Sequence, residues 1–381
     1  MRSRYQGFAI AATMAVALAV PAAAQGGDVA SGLNSPRGIA IGPDGTIYVA
    51  EAGTGGDVAC ADHPELGHMC FGPGGTILAI KDGTATPLVD GLPSGLTDSG
   101  EAIGPSDVAV ADDGTVWFLV GGPGVGAAGF RDSLENGAGD GIGHLYKVGP
   151  DGTAQAVADL DQYETDMNPD AAQPGNAEPD SNANSLAATP DGVLVADAGG
   201  NDLQLVAADG TISTIAVFPV QMQPAPVDPT ASPDPSAEPA MIPMDPVPTS
   251  VVVGPDDAYY VGQLTGLPFP PGGASVFRVV PGEDPTVYAT GFTNIMDLGF
   301  AADGSLYVLE IAKDSLINAG PDGPPAGGLW KIPPGGGDPE MLNVEGLVMP
   351  GGIAVADDGS LYITNCSACP AGAGSVINVT P

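Results

Sequence analysis

The chain has 381 residues, long enough for one large domain with its own core, and carries 46 Asp+Glu against 9 Lys+Arg for a formal net charge of −37. So acidic a surface repels nucleic acid and anionic lipid, and suits cations or solubility at high salt. With 58 Gly, 39 Pro and only 5% aromatic residues, the composition is that of turns and short strands rather than long helices.

Residues 1–24 read as a secretory signal. Arg2 and Arg4 supply the charged start, 9–20 the apolar stretch, and Ala22-Ala23-Ala24 a cleavage site before Gln25. An apolar run of about a dozen residues is too short to span a bilayer, and no other run reaches spanning length. The mature chain, 25–381, is therefore expected to be a single domain, secreted or otherwise extracytoplasmic, monomeric and free of membrane spans.

From there one phrase recurs six times: an apolar strand, a tight turn, a second strand. The copies begin at Gly38, Asp107, Ser185, Ser250, Asp297 and Gly352, and turn at Asp44-Gly45, Asp113-Gly114, Asp191-Gly192, Asp256-Asp257, Asp303-Gly304 and Asp358-Gly359. Self-similarity at this spacing predicts an all-β fold, a six-bladed β-propeller of four-stranded blades, with each phrase forming strands A and B. Strands C and D are expected at 144–148 and 153–158 in blade 2 and at 203–207 and 211–218 in blade 3. Blade 6 has A, B and C at 352–356, 361–364 and 375–379, and the chain then ends. An N-terminal strand at 28–31 is expected to complete it, closing the ring and removing a sheet edge.

The A–B and C–D turns are short throughout. The long segments are B–C loops (52–74, 121–143, 311–327) or D–A loops (161–183, 219–248), which open on one face of a propeller. Insertions confined to one face point to the binding face, for a small molecule or a protein partner. Segment 219–248 is proline-rich, with Met222, Met241 and Met244, and reads as an extended flap.

Four cysteines in an exported chain imply disulfides. Local pairs, Cys60–Cys70 and Cys366–Cys369, are the first expectation; cross-blade pairs between neighbouring blades 1 and 6 are the rival. His63 and His68 between the first pair also permit a zinc site, which oxidising surroundings disfavour. Gly124-Val-Gly-Ala-Ala-Gly129 matches a dinucleotide pattern but lies in an insertion without a helix signal, and reads as a loop. No nucleophile elbow occurs, and three histidines give little to a histidine-based mechanism.

The B strands end on the insertion-bearing face at Glu51, Val120, Asp197, Gln263, Glu310 and Asn365. The residues entering the A strands add Arg37, Asp107, Asn182, Asn184, Thr249, Asn294 and Asp297. Glu51, Asp197, Asn201, Glu310 and Asn365 form a set of oxygen donors suited to a hard cation, calcium rather than zinc. Arg37, Asp107, Asn184, Gln263, Asn294 and Asp297 are the candidate ligand contacts. Strand-end Asp and Asn also cap turns, and the sequence leaves both readings open.

From Leu33 onward the chain resembles the ScyD/ScyE family, propellers of the NHL and gluconolactonase-like type. The resemblance rests on Tyr48-Val-Ala-Glu-Ala-Gly53, Val195-Ala-Asp-Ala-Gly-Gly-Asn-Asp202, Pro248-Thr-Ser-Val-Val-Val-Gly-Pro255, Tyr259-Tyr-Val-Gly-Gln-Leu-Thr-Gly266, Thr290-Gly-Phe-Thr-Asn-Ile-Met-Asp297 and Tyr362-Ile-Thr-Asn-Cys366. It brings no established activity. It implies a divalent cation at the channel mouth, held by Glu, Asn and Asp, roles that the resemblance gives to Glu51, Asp197 and Asn365. Two functions follow. One is an exported propeller binding a ligand or partner on its loop face. The other is a calcium-dependent hydrolase of lactones or phosphoesters, its metal polarising the substrate oxygen and a ring carboxylate activating water.

Overall fold

Six antiparallel blades succeed one another around a closed ring in the computed structural model, five of them four-stranded sheets and the first extended to six strands. The structure describes residues 27–381 except 64–65, 123, 126–127, 150, 226–239 and 319–322; the predicted signal, 1–24, lies outside the described residues. Strands A and B of the six blades are Pro36–Ile41 and Ile47–Glu51, Pro105–Val110 and Val116–Val120, Ala183–Thr189 and Gly192–Asp197, Pro248–Val253 and Tyr259–Gln263, Ile295–Phe300 and Leu306–Glu310, and Gly352–Val355 and Leu361–Asn365. The ring closes as expected. Gly27–Leu33 pairs antiparallel with Gly374–Val379, Asp28 opposite Ile377 and Ser31 opposite Ser375, as the outer strand of blade 6.

Alternation along each strand sends one set of side chains into each neighbouring blade. Among the described residues the core therefore has one cluster at each of the six blade junctions, with two smaller ones, around Phe71 and Ile311, beneath the loops. Val49 and Leu78 of blade 1 meet Leu33 and Val376 of blade 6, Phe118 of blade 2 meets Ile77 of blade 1, and Leu145 meets Leu186 and Val195 of blade 3. Val261 and Phe277 of blade 4 join Leu194 and Phe218, Val276 joins Leu306 and Val308 of blade 5, and Leu309 joins Ile353 and Ile363 of blade 6.

On the turn face the repeated aspartates act locally. Asp113, Asp303 and Asp358 each accept the backbone N–H two residues on, at 2.9, 2.8 and 2.9 Å, which holds their pKa values below the ordinary range. Asp257 stands where other copies have Gly and takes φ 60°, a left-handed conformation that Asp tolerates.

The loop face departs from expectation in four places. The blade 1 insertion is a hairpin, because Ala59–His63 pairs with the long strand Gly67–Lys81 and Cys60 lies opposite Cys70. The 161–183 segment opens with the helix Leu160–Met167, and the dinucleotide-like segment runs into a short helix, Ala128–Ser133. The flap is founded on a two-stranded ribbon, Gln221–Pro224 against Met241–Met244; its tip, 226–239, lies outside the described residues. Both local disulfides form, Cys60–Cys70 and Cys366–Cys369. No helix among the described residues is long and apolar enough to cross a membrane.

Candidate functional site

The B-strand ends do not form a ring of free ligands. Each carboxyl or amide ties down the loop entering its own blade. Glu51 Oε1 accepts from Asn34 N at 2.6 Å, Asp197 Oδ1 from Asn182 N at 2.7 Å, Glu310 Oε1 from Thr293 N at 2.6 Å and Asn365 Oδ1 from Val348 N at 2.8 Å. Asp197 also takes Gly199 N, Gly200 N and the Ser181 hydroxyl, so both its oxygens are used. Burial raises Glu51 and Glu310 despite these bonds, Glu310 to about 7. Asn201 bonds Asp170 and Val247 N, and Asn294 bonds Leu264 O and Leu316 N, so both fasten loops. Gln263 is buried, with Oε1 unpartnered. Among the described residues no three carboxylates each bring an oxygen within 4.8 Å of the others; the one such group of possible ligands is Cys60, His68 and Cys70, whose sulfurs are joined to each other.

The A-strand entrances build a throat. Asp107 accepts Val108 N at 2.8 Å and, across the blade junction, Leu186 N at 2.9 Å; Asp297 accepts Leu298 N at 2.8 Å and Ile353 N of blade 6 at 2.7 Å. A side chain on Gly38 would reach within 1.7 Å of Asp107 Oδ1, so glycine is required beside it. Burial lifts both aspartates above the carboxylate range, and Asp107 lifts Asp297 further by like charge. The space between them is only ≈ 10 Å³, about one water at most. The channel is closed here, with a separate hollow of ≈ 300 Å³ beyond.

Above the throat the loop face forms a three-lobed cleft. Lobes of ≈ 750 and ≈ 260 Å³ share Arg37, Glu101, Asn182 and Asn184, and a third of ≈ 810 Å³ shares Ala198 and Val247 with both. Thr249 and Met296 connect the first lobe to the throat. Arg37 Nη2 donates to Ala102 O at 2.7 Å; burial lowers its pKa and Glu101 opposes that shift. Asn184 Nδ2 donates to Thr249 O at 2.6 Å. Asp170, Glu178, Asp180 and Asp245 surround the third lobe. The predicted Arg37 and Asn184 therefore line the cleft, Asp107 and Asp297 form its floor, and Gln263 and Asn294 stand behind its wall.

The sequence reading missed Asp161, Glu164 and Asp202, all wholly buried beside Asp197. A signal existed: Asp159 caps the helix by accepting Gln162 N at 2.9 Å, and Asp159-Leu-Asp-Gln162 has the spacing of a helix start.

No protein-family model matches the sequence, and no curated protein matches it. Solved structures share the fold. A gluconolactonase from Xanthomonas campestris is 12% identical over 93% of this chain and 89% of its own, with a TM-score of 0.53. A putative glucose dehydrogenase from Thermus thermophilus is 17% identical over 93% and 99%, with a TM-score of 0.51. A putative gluconolactonase is 12% identical over 94% and 93%, also at 0.51. At these identities the likeness establishes the six-bladed propeller fold, and nothing about activity.

Proposed function

We propose that this chain is a ligand-binding propeller whose loop-face cleft receives a small polar molecule, neutral or cationic. The observation that carries this reading is the cleft itself: three lobes with common walls above a closed throat, a cup rather than a pore. Its amides and the Thr249 hydroxyl supply hydrogen bonds. Its surrounding carboxylates exclude anions, against the single guanidinium of Arg37. Secretion and ScyD/ScyE kinship belong to the same reading and rest on the sequence signals. The residues at the mouth do not fit the divalent cation implied by gluconolactonase-like relatives. Glu51 and Asn365 are engaged in loop bonds, and the cationic Arg37 lines two lobes of the cleft, so we derive no hydrolytic step through a metal there.

The test is a thermal-shift panel of hexoses, aldonolactones, polyamines and sugar phosphates, repeated on Asn182→Trp, which fills a wall common to two lobes. At least one neutral or cationic compound is expected to raise the wild-type melting temperature, and the variant should lose that response while melting normally. A preference for sugar phosphates, or no response to any member, defeats the reading.

A further inference from the structure

The helix Leu160–Met167 places Asp161 and Glu164 three residues apart, on one face. Both are wholly buried, and neither oxygen of either carboxyl has a hydrogen-bond partner. The Ser181 hydroxyl, although close enough to Asp161 to favour its ionised form, donates to Asp197 Oδ2 at 2.8 Å. Arg131 reaches Asp161 Oδ2 only at 3.9 Å, being held by Asp159 at 2.7 Å and Asp132 at 2.9 Å. Burial raises Asp161 to about 7 and Glu164 to about 8 and lifts the wholly buried Asp202 well above its ordinary value; the wholly buried Asp197 raises all three further by like charge, and Glu164 adds to Asp202. Gln204 Nε2 donates to Asp202 Oδ1 at 3.1 Å, while Gln204 Oε1 is buried without a partner. Gly200 crosses the cluster so closely that a side chain there would stand 3.1 Å from Glu164 Oε2 and 3.4 Å from Asp197 Cγ.

Burying one ionised carboxylate costs several kcal/mol, and like charges add to that cost. A proton or a bound cation offsets it. The free donors are carboxylate and amide oxygens, with no nitrogen or sulfur among them, which is the donor set of a hard divalent cation. We propose that Asp161, Glu164 and the Gln204 amide oxygen form a calcium site between this helix and the B–C turn of blade 3. Asp197, whose oxygens already hold Asn182, Gly199, Gly200 and Ser181, and Asp202, whose oxygens accept from Gln204 Nε2 at 3.1 Å and the Thr214 hydroxyl at 3.2 Å, are the fixed anions behind it. No three of these carboxylates bring oxygens within 4.8 Å of one another, so binding draws the side chains inward, with water completing the six to eight ligands calcium takes. The site lies one layer beneath the cleft, because Gly199 and Asp180 line the cleft wall. It does not depend on the proposed ligand.

The experiment is calcium titration of chelator-stripped full-length protein, by calorimetry and by melting, with calcium chloride the only probe. One ion per chain is expected, with a saturable rise in melting temperature. Glu164→Gln and Asp161→Asn should each weaken binding at least tenfold. Glu310→Gln, in a buried carboxyl far along the chain, should leave it unchanged. If the stripped wild type takes up no calcium, or Glu310→Gln weakens uptake as much as Glu164→Gln, the site is refuted. If Glu164→Gln melts higher than wild type in chelator and neither responds to calcium, the cluster holds protons instead, which also overturns the proposal.

Discussion

The carboxylates carried by the repeat and those carried by an insertion meet opposite fates in this molecule. Repeat-borne acids each take backbone N–H groups: Asp113 and Asp358 cap turns, Glu51 and Glu310 tie loops through one oxygen, and Asp107 and Asp297 each take two N–H groups, one from the next blade. Insertion-borne Asp161 and Glu164 are buried as deeply and take none. The same side chain is scaffold where an N–H faces it and a candidate site where none does. A buried acid without a partner is costly to fold around, so it calls for a counter-charge from outside the chain.

Substitution in the throat separates the two groups most sharply. Asp297→Ala or Asp107→Ala leaves two buried N–H groups without an acceptor, at ~1–3 kcal/mol each, so urea denaturation should show a loss of about 2–6 kcal/mol. A loss under ~0.5 kcal/mol, the range of ordinary surface changes, would place these aspartates with the unsatisfied ones.

A smaller effect is expected from pH. Folding raises Asp107 from the ordinary 3.8 to about 7. Between those values the unfolded chain ionises first and binds fewer protons, so stability is highest at the acid end and falls as pH rises toward 7. Denaturation midpoints of wild type and Asp107→Asn over this window should differ in slope, the variant being flatter. Equal slopes mean that the two backbone N–H bonds, rather than burial, control this carboxyl.

The smallest effect concerns the proline-rich insertion. Replacing 226–239 with a short Gly/Ser link leaves the ribbon Gln221–Pro224 with Met241–Met244 intact, and Met244 keeps its buried place. The melting temperature should move by no more than about 2 °C, since loop tips tolerate change. A large drop would show that this insertion, too, is part of the scaffold.

Much of the scaffold was legible from sequence, because it depends on local chemistry. Asp-Gly turns fix hairpins, period-two apolar strands fix blades, and the strand deficit of blade 6 required the N-terminal strand that pairs at Asp28 and Ser31. The local disulfides followed from proximity in the chain. The single face carrying the insertions was legible too, since strand parity decides it. What the B-strand acids do was not. Asp197 and Glu310 look alike in sequence whether they hold a cation or a loop N–H, and only the path of the D–A loop, placing Asn182 N and Thr293 N against them, decides. Nor does sequence show that Asp161 and Glu164 face inward, since a short helix in a polar insertion is ordinarily a solvated one. Their burial comes from blades 2 and 3 closing around that helix, with Gly143 and Gly200 leaving room for the two carboxyls. Local pattern set the blades, their order and the face that carries the loops. Long-range packing alone set which carboxylates found a backbone partner and which did not, because burial and pairing depend on chain segments far apart in sequence.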